Sequence, residues 1–272
     1  MARTWARWLS HALLTALALA WMSPLLWVIL LSLTPNEALA RGDLAPRMLT
    51  TAHYQTLLAV SQAPRWFLNS LLVAGTMTAA TLVLSSLAGY ALARIPFRGR
   101  NGVFLFIVAG LAVPEQAIFL PLHRMFAELE LHNTYTALIA PRLAGPFGVF
   151  LMTQFFRAVP REMEEAAELD HAGRVRTFLF IMLPLARPAL TTLGIFTFLY
   201  AWNDFLWPMV SATDPDMYTL TVGLSSLQGN FAQSESLGFV MASAVVASSP
   251  MILVYLLFQR YIVRGMALGG VR

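Results

Sequence analysis

Long apolar runs recur along the whole chain, and short polar stretches between them hold most of the arginines. A helix needs roughly 20 apolar residues to cross about 30 Å of hydrocarbon, and six stretches approach or exceed that length. The first extends from about Leu13 to Leu33, behind Arg3 and Arg7. Within it Ala18-Leu19-Ala20 imitates a signal-peptidase site. The apolar run continues to Pro35, too long for the core of a signal peptide, so an uncleaved first helix is predicted, with Pro24 as a candidate kink. Thr34 to Arg65 reads as an extramembrane loop. The second span runs from Trp66 to about Leu92 and carries Gly75, Ser85, Ser86 and Gly89, small residues that let helices approach closely in lipid. A third covers Val103 to about Leu122, interrupted by Pro114, and a fourth Tyr135 to Phe156. The fifth runs from about Leu183 to Trp207 and the sixth from Leu237 to Phe258, with a polar segment, Ser211 to Ser236, between them. The pattern predicts an all-α, polytopic membrane helix bundle of six transmembrane helices, forming one transmembrane domain over residues 1–272.

Composition agrees. Hydrophobic residues make up 58% of the 272 and charged residues only 12%, against about a quarter charged in soluble domains. All 18 basic residues are Arg. Without Lys there is no P-loop for ATP and no Schiff-base chemistry; without Cys there are no disulfides, thiol nucleophiles or sulfur-ligated metals. The arginines are scattered among short loops rather than gathered on one face, which argues against nucleic acid as a partner. Their placement sets orientation, since cytoplasmic loops retain basic residues. With both termini inside, Arg3, Arg7, Arg94, Arg98, Arg100, Arg157, Arg161, Arg174, Arg176, Arg187, Arg260, Arg264 and Arg272 are cytoplasmic, while Arg41, Arg47, Arg65, Arg124 and Arg142 are not. A multi-pass protein of the cytoplasmic (inner) membrane is expected.

The most charged segment, residues 157–176, carries the sharpest signal. Pro160 suits the first turn of a short helix, and Glu162, Glu164 and Glu165 sit where the helix dipole favours anions. Met163, Ala166, Ala167 and Asp170 recur at the spacing of one helix face, with Glu164, Glu165 and Glu168 on its flank, and Gly173 can end the helix. The face is small enough for another protein to approach its backbone. An ordinary amphipathic loop helix lying on the membrane fits the spacing as well.

Glu165-Ala166-Ala167, followed at the right distances by Ile181 and Leu183-Pro184, resembles the EAA loop of importer-type ABC permeases. His171 stands at that family's Gly position, with Gly173 two residues later as a candidate source of flexibility. Further short stretches resemble the MalG-like partner of the maltose-type carbohydrate permeases, a family of binding-protein-dependent transport inner-membrane components. They are Arg65-Trp-Phe-Leu-Asn-Ser70, Gly89-Tyr-Ala-Leu-Ala-Arg94, Asn133-Thr-Tyr135, Trp202-Asn-Asp-Phe-Leu-Trp-Pro208 and Gln259-Arg-Tyr-Ile-Val-Arg-Gly265. Glu130 replaces a residue that is often Gly there. The resemblance implies a type I ABC importer permease fold and a non-catalytic subunit of a sugar importer. It implies as partners a second permease subunit, two copies of an ATP-binding subunit that carries ATP and Mg, an external solute-binding protein and a sugar, with lipid around the bundle. The ATPase contact falls to Glu165, Ala166, Ala167, Asp170, His171, Ala172, Gly173, Ile181, Leu183 and Pro184, with Arg264 and Gly265 as a second contact from the tail.

Other constellations are thinner. Glu168-Leu-Asp-His171 has the spacing of di-iron helices, but no second copy exists, so no metal is expected. Asp204 ends the fifth span beside Trp202, Asn203 and Trp207; intramembrane charges usually face a bundle interior or water, which marks these four as candidate pathway residues, and Glu115 is a weaker case. An interfacial aromatic belt with a snorkelling acid accounts for the same residues. A stand-alone secondary carrier or channel is the alternative function; it should carry more intramembrane ionisable groups, or broken helices at matching places in two halves.

The Arg distribution makes the topology testable. In this naturally Cys-free chain, Arg98→Cys and Arg161→Cys should resist an impermeant thiol reagent in sealed cells and react after permeabilisation. Labelling of either from outside overturns the orientation.

Overall fold

The computed structural model describes residues 2–42, 49–60, 62–143, 145–231 and 237–269, with side chains over 8–42, 49–59, 62–143, 145–227 and 237–259. Among the described residues all regular structure is helical. Helix α1 (Ala2–Ser32) is followed by α2 (Asn36–Ala40), α3 (Ala52–Val60) and the long α4 (Ala63–Arg94). Then come α5 (Arg100–Ala109), continued by a 3-10 turn to Ala112, and α6 (Glu115–Glu128). α7 (Tyr135–Ile139) continues through a 3-10 turn to Arg142 and leads to α8 (Pro146–Ala158). The charged segment folds as α9 (Glu162–Leu169), α10 (Arg174–Thr177), a π-helical turn (Phe178–Met182) and α11 (Leu183–Leu185). α12 (Arg187–Asn203), α13 (Leu206–Ser211), α14 (Leu220–Phe231) and α15 (Leu237–Gly269) complete the chain.

Three helices can cross a membrane unbroken: α1 over Trp8–Ser32, α4, and α15 over Leu237–Gln259. Three bent pairs have the length and composition of further spans, for up to six. Arg100–Ala112 and Glu115–Glu128 meet at 97°, Tyr135–Arg142 and Pro146–Ala158 at 45°, and Arg174–Leu185 and Arg187–Asn203 at 73°. The third predicted span is therefore two helices turned at Val113-Pro114, where Pro114 has no N–H to extend the first of them. The fifth is divided at Ala186 and again at Asp204-Phe205. The polar stretch after it contains α14, which the low apolar periodicity did not reveal.

Three described helices carry Pro inside them, α1, α6 and α15, and in α1 and α15 a local device compensates for it. Pro24 and Pro250 lack the N–H that would bond the carbonyl four residues back. In each case the preceding Ser supplies the missing donor: Ser23 Oγ donates to Ala20 O at 2.8 Å, and Ser249 Oγ to Val246 O at 2.9 Å. In hydrocarbon an unpaired carbonyl costs several kcal/mol, so the Ser-Pro pairs are self-repaired breaks.

The chain forms two compact units. The first comprises residues 1–64 and 223–250. In it the His53 ring donates to Thr34 O at 2.9 Å, and the Ser32 and Tyr54 hydroxyls bond at 2.6 Å. Gly238 lies against the His53 ring, where a Cβ would overlap it. α1 is apolar all round and exposed from Trp8 to Trp27, a surface suited to lipid or protein in a membrane.

The second unit, residues 65–222 and 251–272, holds the main core. Tyr90, Met152, Phe156, Phe178, Met182, Ala186, Ala189 and Leu193 form one buried cluster joining α4, α8, the π turn and α12. α4 and α8 touch at small residues. A Cβ on Gly89 would stand 2.6 Å from Met152 Cβ and 2.9 Å from the Met152 backbone, while Gly148 lies on Ser85. Gly75, on the same α4, faces open space. Gly89→Val should therefore overpack the helix pair by about 1–3 kcal/mol and lower the amount of folded protein in the membrane, while Gly75→Ala should not. Thermal melting of both in detergent checks this; equal stability contradicts the close approach.

Candidate functional site

The segment from Pro160 to Leu185 meets the bundle on one side and solvent on the other. α9 starts at Glu162, with Glu164 N and Glu165 N bonded to Arg161 O. Of the predicted face, Ala166 is exposed and Met163 is 41% exposed, but Ala167 is 4% exposed. Sequence spacing put the two alanines on a common face; the structure separates them, because α9 packs back onto its own chain along the side bearing Ala167. The outer face carries Met163, Glu165, Ala166 and Leu169, which is 82% exposed, with Asp170 at the C-cap.

The helix ends in a six-residue closure. Ala172 N bonds Ala167 O at 2.9 Å, His171 N bonds Glu168 O at 3.0 Å, and His171 adopts φ 55°. This is the Schellman pattern, whose left-handed position is usually Gly. Gly173 does not supply the turn, contrary to the sequence expectation: it is extended, with φ −68° and ψ 159°, and precedes α10. His171 itself takes the left-handed conformation, which a side chain makes costly and which His tolerates better than most residues. Glu130, the other replacement of a family Gly, repeats the arrangement at the end of α6. Its φ is 55°, Leu131 N bonds Phe126 O and Glu130 N bonds Ala127 O.

A charged clasp fixes the inner side of α9. Tyr90 donates its hydroxyl to Glu164 Oε1 at 2.9 Å, and Arg94 Nη1 pairs with Glu164 Oε2 at 3.3 Å. Arg94 Nη2 also donates to Phe156 O, at 2.6 Å, and to Val159 O, two carbonyls at the C-terminal end of α8. One guanidinium thus ties α4, α8 and α9 together, with its side chain 7% exposed. The Tyr90 ring packs against Phe156 and Phe178, at centroid distances of 5.6 and 5.0 Å. Spacing of sixty and more residues hid these partners; the signal present was Tyr90 and Arg94 four apart on one helix face.

Behind α9, Phe178 and Met182 are pegs into the core, a role that sequence reading missed although an apolar pair four apart follows the charged run. Ile181 lies in the π turn, and Leu183 and Pro184 in α11. Pro184 lacks an N–H for the carbonyl of Phe180, and the wider π turn falls just where the regular pattern fails. Beside α9, Glu164, Glu165 and Glu168 face Arg94, Arg98, Arg100 and Arg161 across an open groove of about 840 Å³. Arg264 and Gly265 lie in α15, their side chains outside the described residues, as are residues 270–272.

The candidate pathway residues divide. Trp202 and Trp207 are each 1% exposed, so they form no interfacial belt; Trp207 borders a small cavity of about 60 Å³ that Glu115 and Arg142 also line. Trp202 packs on Phe67 and Phe198, and Trp207 donates its indole N–H to Ala137 O at 2.8 Å. Both are buried in the core, and neither borders the cavity at Asn203 and Asp204. Asn203 and Asp204 border a cavity of about 520 Å³. Asp204 is ion-paired with Arg142, whose Nε lies 3.3 Å from Glu115 Oε1; Tyr200 donates its hydroxyl to Glu115. Each charge flanks a discontinuity: Glu115 opens α6, Arg142 ends the 3-10 turn before α8, and Asp204 follows α12. In the sequence Arg142 reads only as a topology charge.

The remaining motifs pin a loop. Trp66 Nε1 donates to Pro215 O at 2.8 Å, Asn69 Nδ2 to Asp216 O and Tyr218 O at 2.9 Å each, and Ser70 Oγ accepts from Leu220 N at 2.8 Å. Tyr135 donates to Asn69 Oδ1, and Asn133 Oδ1 accepts from Thr213 N and Asp214 N. Residues 65–70 and 133–135 therefore serve as backbone partners for residues 213–220.

Residues 81–268 match the family described as binding-protein-dependent transport system inner membrane component. The chain is 35% identical over 254 residues to the arabinooligosaccharides transport system permease protein AraQ of Halalkalibacterium halodurans, covering 92% of this chain and 90% of that one. It is 33% identical over 267 residues to the diacetylchitobiose uptake system permease protein NgcG of Streptomyces coelicolor, covering 97% and 88%. Its fold is similar to that of a chain in a crystal structure of a bacterial ABC transporter involved in the import of the acidic polysaccharide alginate. There the TM-score is 0.82 at 22% identity, over 95% of this chain and 96% of that chain. A polytopic helical bundle with a clasped, outward-facing short helix and these relatives belongs to the binding-protein-dependent transport system inner membrane component family, as a membrane-spanning permease subunit.

Proposed function

We propose that this chain is one half of the translocation pathway of an ATP-driven sugar importer and that α9 couples it to a separate ATPase. Relatives named for arabinooligosaccharides and diacetylchitobiose support a sugar as cargo. The reading assigns it a second permease as partner, two copies of an ATP-binding subunit and an external solute-binding protein. Both termini and α9 are cytoplasmic, in keeping with the Arg distribution, and residues 1–272 work as one permease domain. ATP and Mg belong to the partner ATPase, since a chain without Lys cannot build a P-loop.

The division of α9 into two faces carries the proposal. Outward, Met163, Ala166 and Leu169 offer an apolar strip beside Glu165, with Asp170, His171, Ala172 and Gly173 at its end. Inward, Glu164 is held by Tyr90 and Arg94. Closure of the ATPase dimer pushes on the strip, and the clasp passes the displacement into α4 and α8. Ile181, Leu183 and Pro184 act from behind α9, while Arg264 and Gly265 provide a second contact with the ATPase.

Ala166→Leu should leave folding intact and overpack the docked surface. Overpacking by about 1–3 kcal/mol weakens ATPase association roughly 5- to 150-fold. Glu164→Ala leaves Arg94 buried without its carboxylate, a loss of about 3–5 kcal/mol, and should cut transport while the ATPase still co-purifies. His171→Gly should keep full activity, because the left-handed position accepts Gly without strain. Co-purification and binding-protein-stimulated ATP hydrolysis in proteoliposomes are the readouts. Normal association and uptake in Ala166→Leu contradict the assignment of α9.

A further inference from the structure

The charge cluster at the helix breaks is built like a recognition site. Asp204 and Arg142 are largely buried, with side chains 13% and 17% exposed, whereas Glu115 is half exposed. The guanidinium lies over the Tyr200 ring, 5.0 Å from its centroid. The Tyr200 and Phe196 side chains present apolar surface to the same cavity, at 45% and 52% exposure. The cavity, at about 520 Å³, falls within the roughly 300–1,000 Å³ of small-molecule sites. Arg142 is a fixed donor between two carboxylate acceptors, and Asn203 adds an amide at the rim, its Nδ2 bonded to Leu199 O at 2.8 Å.

We infer that Glu115, Arg142, Tyr200, Asn203 and Asp204 form a subsite for a neutral sugar ring on this subunit. The inference rests on the sugar-importer reading and deepens it. A sugar hydroxyl donates to one partner while accepting from another, which matches a guanidinium flanked by carboxylates. The ring's C–H face lies on Tyr200 or Phe196. The formal charges of Glu115, Arg142 and Asp204 leave the cluster with one net negative charge, which repels an anionic ligand. A uronate therefore meets a like charge at the cavity and is rejected, while a neutral oligosaccharide is not. Pinning also explains why an ion pair is placed here at all: it holds three interrupted helices in register around the cavity.

The test reconstitutes the full transporter with its partner subunits and binding protein, and measures uptake of diacetylchitobiose, arabinotriose, trehalose and maltose against digalacturonate. Wild type should take up at least one neutral sugar and exclude digalacturonate. Tyr200→Ala should raise the KM for that sugar roughly 2- to 10-fold, as expected for loss of one aromatic contact, at wild-type levels of assembled complex. Glu115→Gln, which keeps the shape and a hydrogen-bonding group, should raise KM and weaken the exclusion of digalacturonate. An unchanged KM in both variants, with wild-type uptake intact, overturns the subsite alone, as does uptake of digalacturonate by wild type at a rate equal to the neutral sugar. Failure of wild type to take up any neutral sugar overturns the sugar-importer reading and the subsite with it.

Discussion

A backbone carbonyl in hydrocarbon has no water to bond, and this constraint governs the chain wherever a helix is interrupted. The interruptions are many, and side chains repair them. Ser23 and Ser249 bond the carbonyls that Pro24 and Pro250 leave free. Thr81 donates to Leu143 O in the gap before α8, Trp207 to Ala137 O, and Thr221 to Asp204 O after α12. Arg94 takes two carbonyls at the end of α8. Apart from the two Ser-Pro repairs, which stay within their own helices, each of these bonds ties a break to another segment, so the polar groups that make interrupted spans tolerable also fix their positions.

That economy gives the two candidate regions different characters. At the Arg94 end the repairing residue is charged and buried, and it also pairs with Glu164; the short helix α9 becomes an extension of α4 and α8. The Tyr90 ring, wedged between Phe156 and Phe178, adds apolar stiffness to the same joint. At the Glu115–Arg142–Asp204 cluster two largely buried charges and the half-exposed Glu115 border a cavity. One region suits transmission of force, the other contact with a polar solute.

The fold class was legible because it rests on local quantities: run length, the scarcity of charge and the bias of Arg. The small residues Ser85 and Gly89 were read correctly as a close helix contact, since lack of a side chain is itself the signal. What stayed hidden was set by distant partners. Pro114 announced an interruption but not a 97° turn. Asp204 stood out as an intramembrane charge, yet its partner Arg142, sixty-two residues away, looked like one more loop arginine. Periodicity placed Ala166 and Ala167 together, and only packing decides that one of them is covered. His171 and Glu130 both hold left-handed positions, each closed by the same pair of flanking hydrogen bonds at a helix end, which no local pattern in the sequence announces.

The central claim is that α9 and the Arg94 end of α4 move as one body. The absence of native Cys allows spin labels at Leu87→Cys on α4 and Glu168→Cys on α9, both exposed positions. Their separation can be measured by pulsed electron resonance in the assembled transporter, with the ATPase nucleotide-free and ATP-bound. The clasp predicts the same distance distribution in both states, and a broadened one in Glu164→Ala. A shift on the order of one helical turn, about 5 Å, between the two nucleotide states of the otherwise native chain would contradict it.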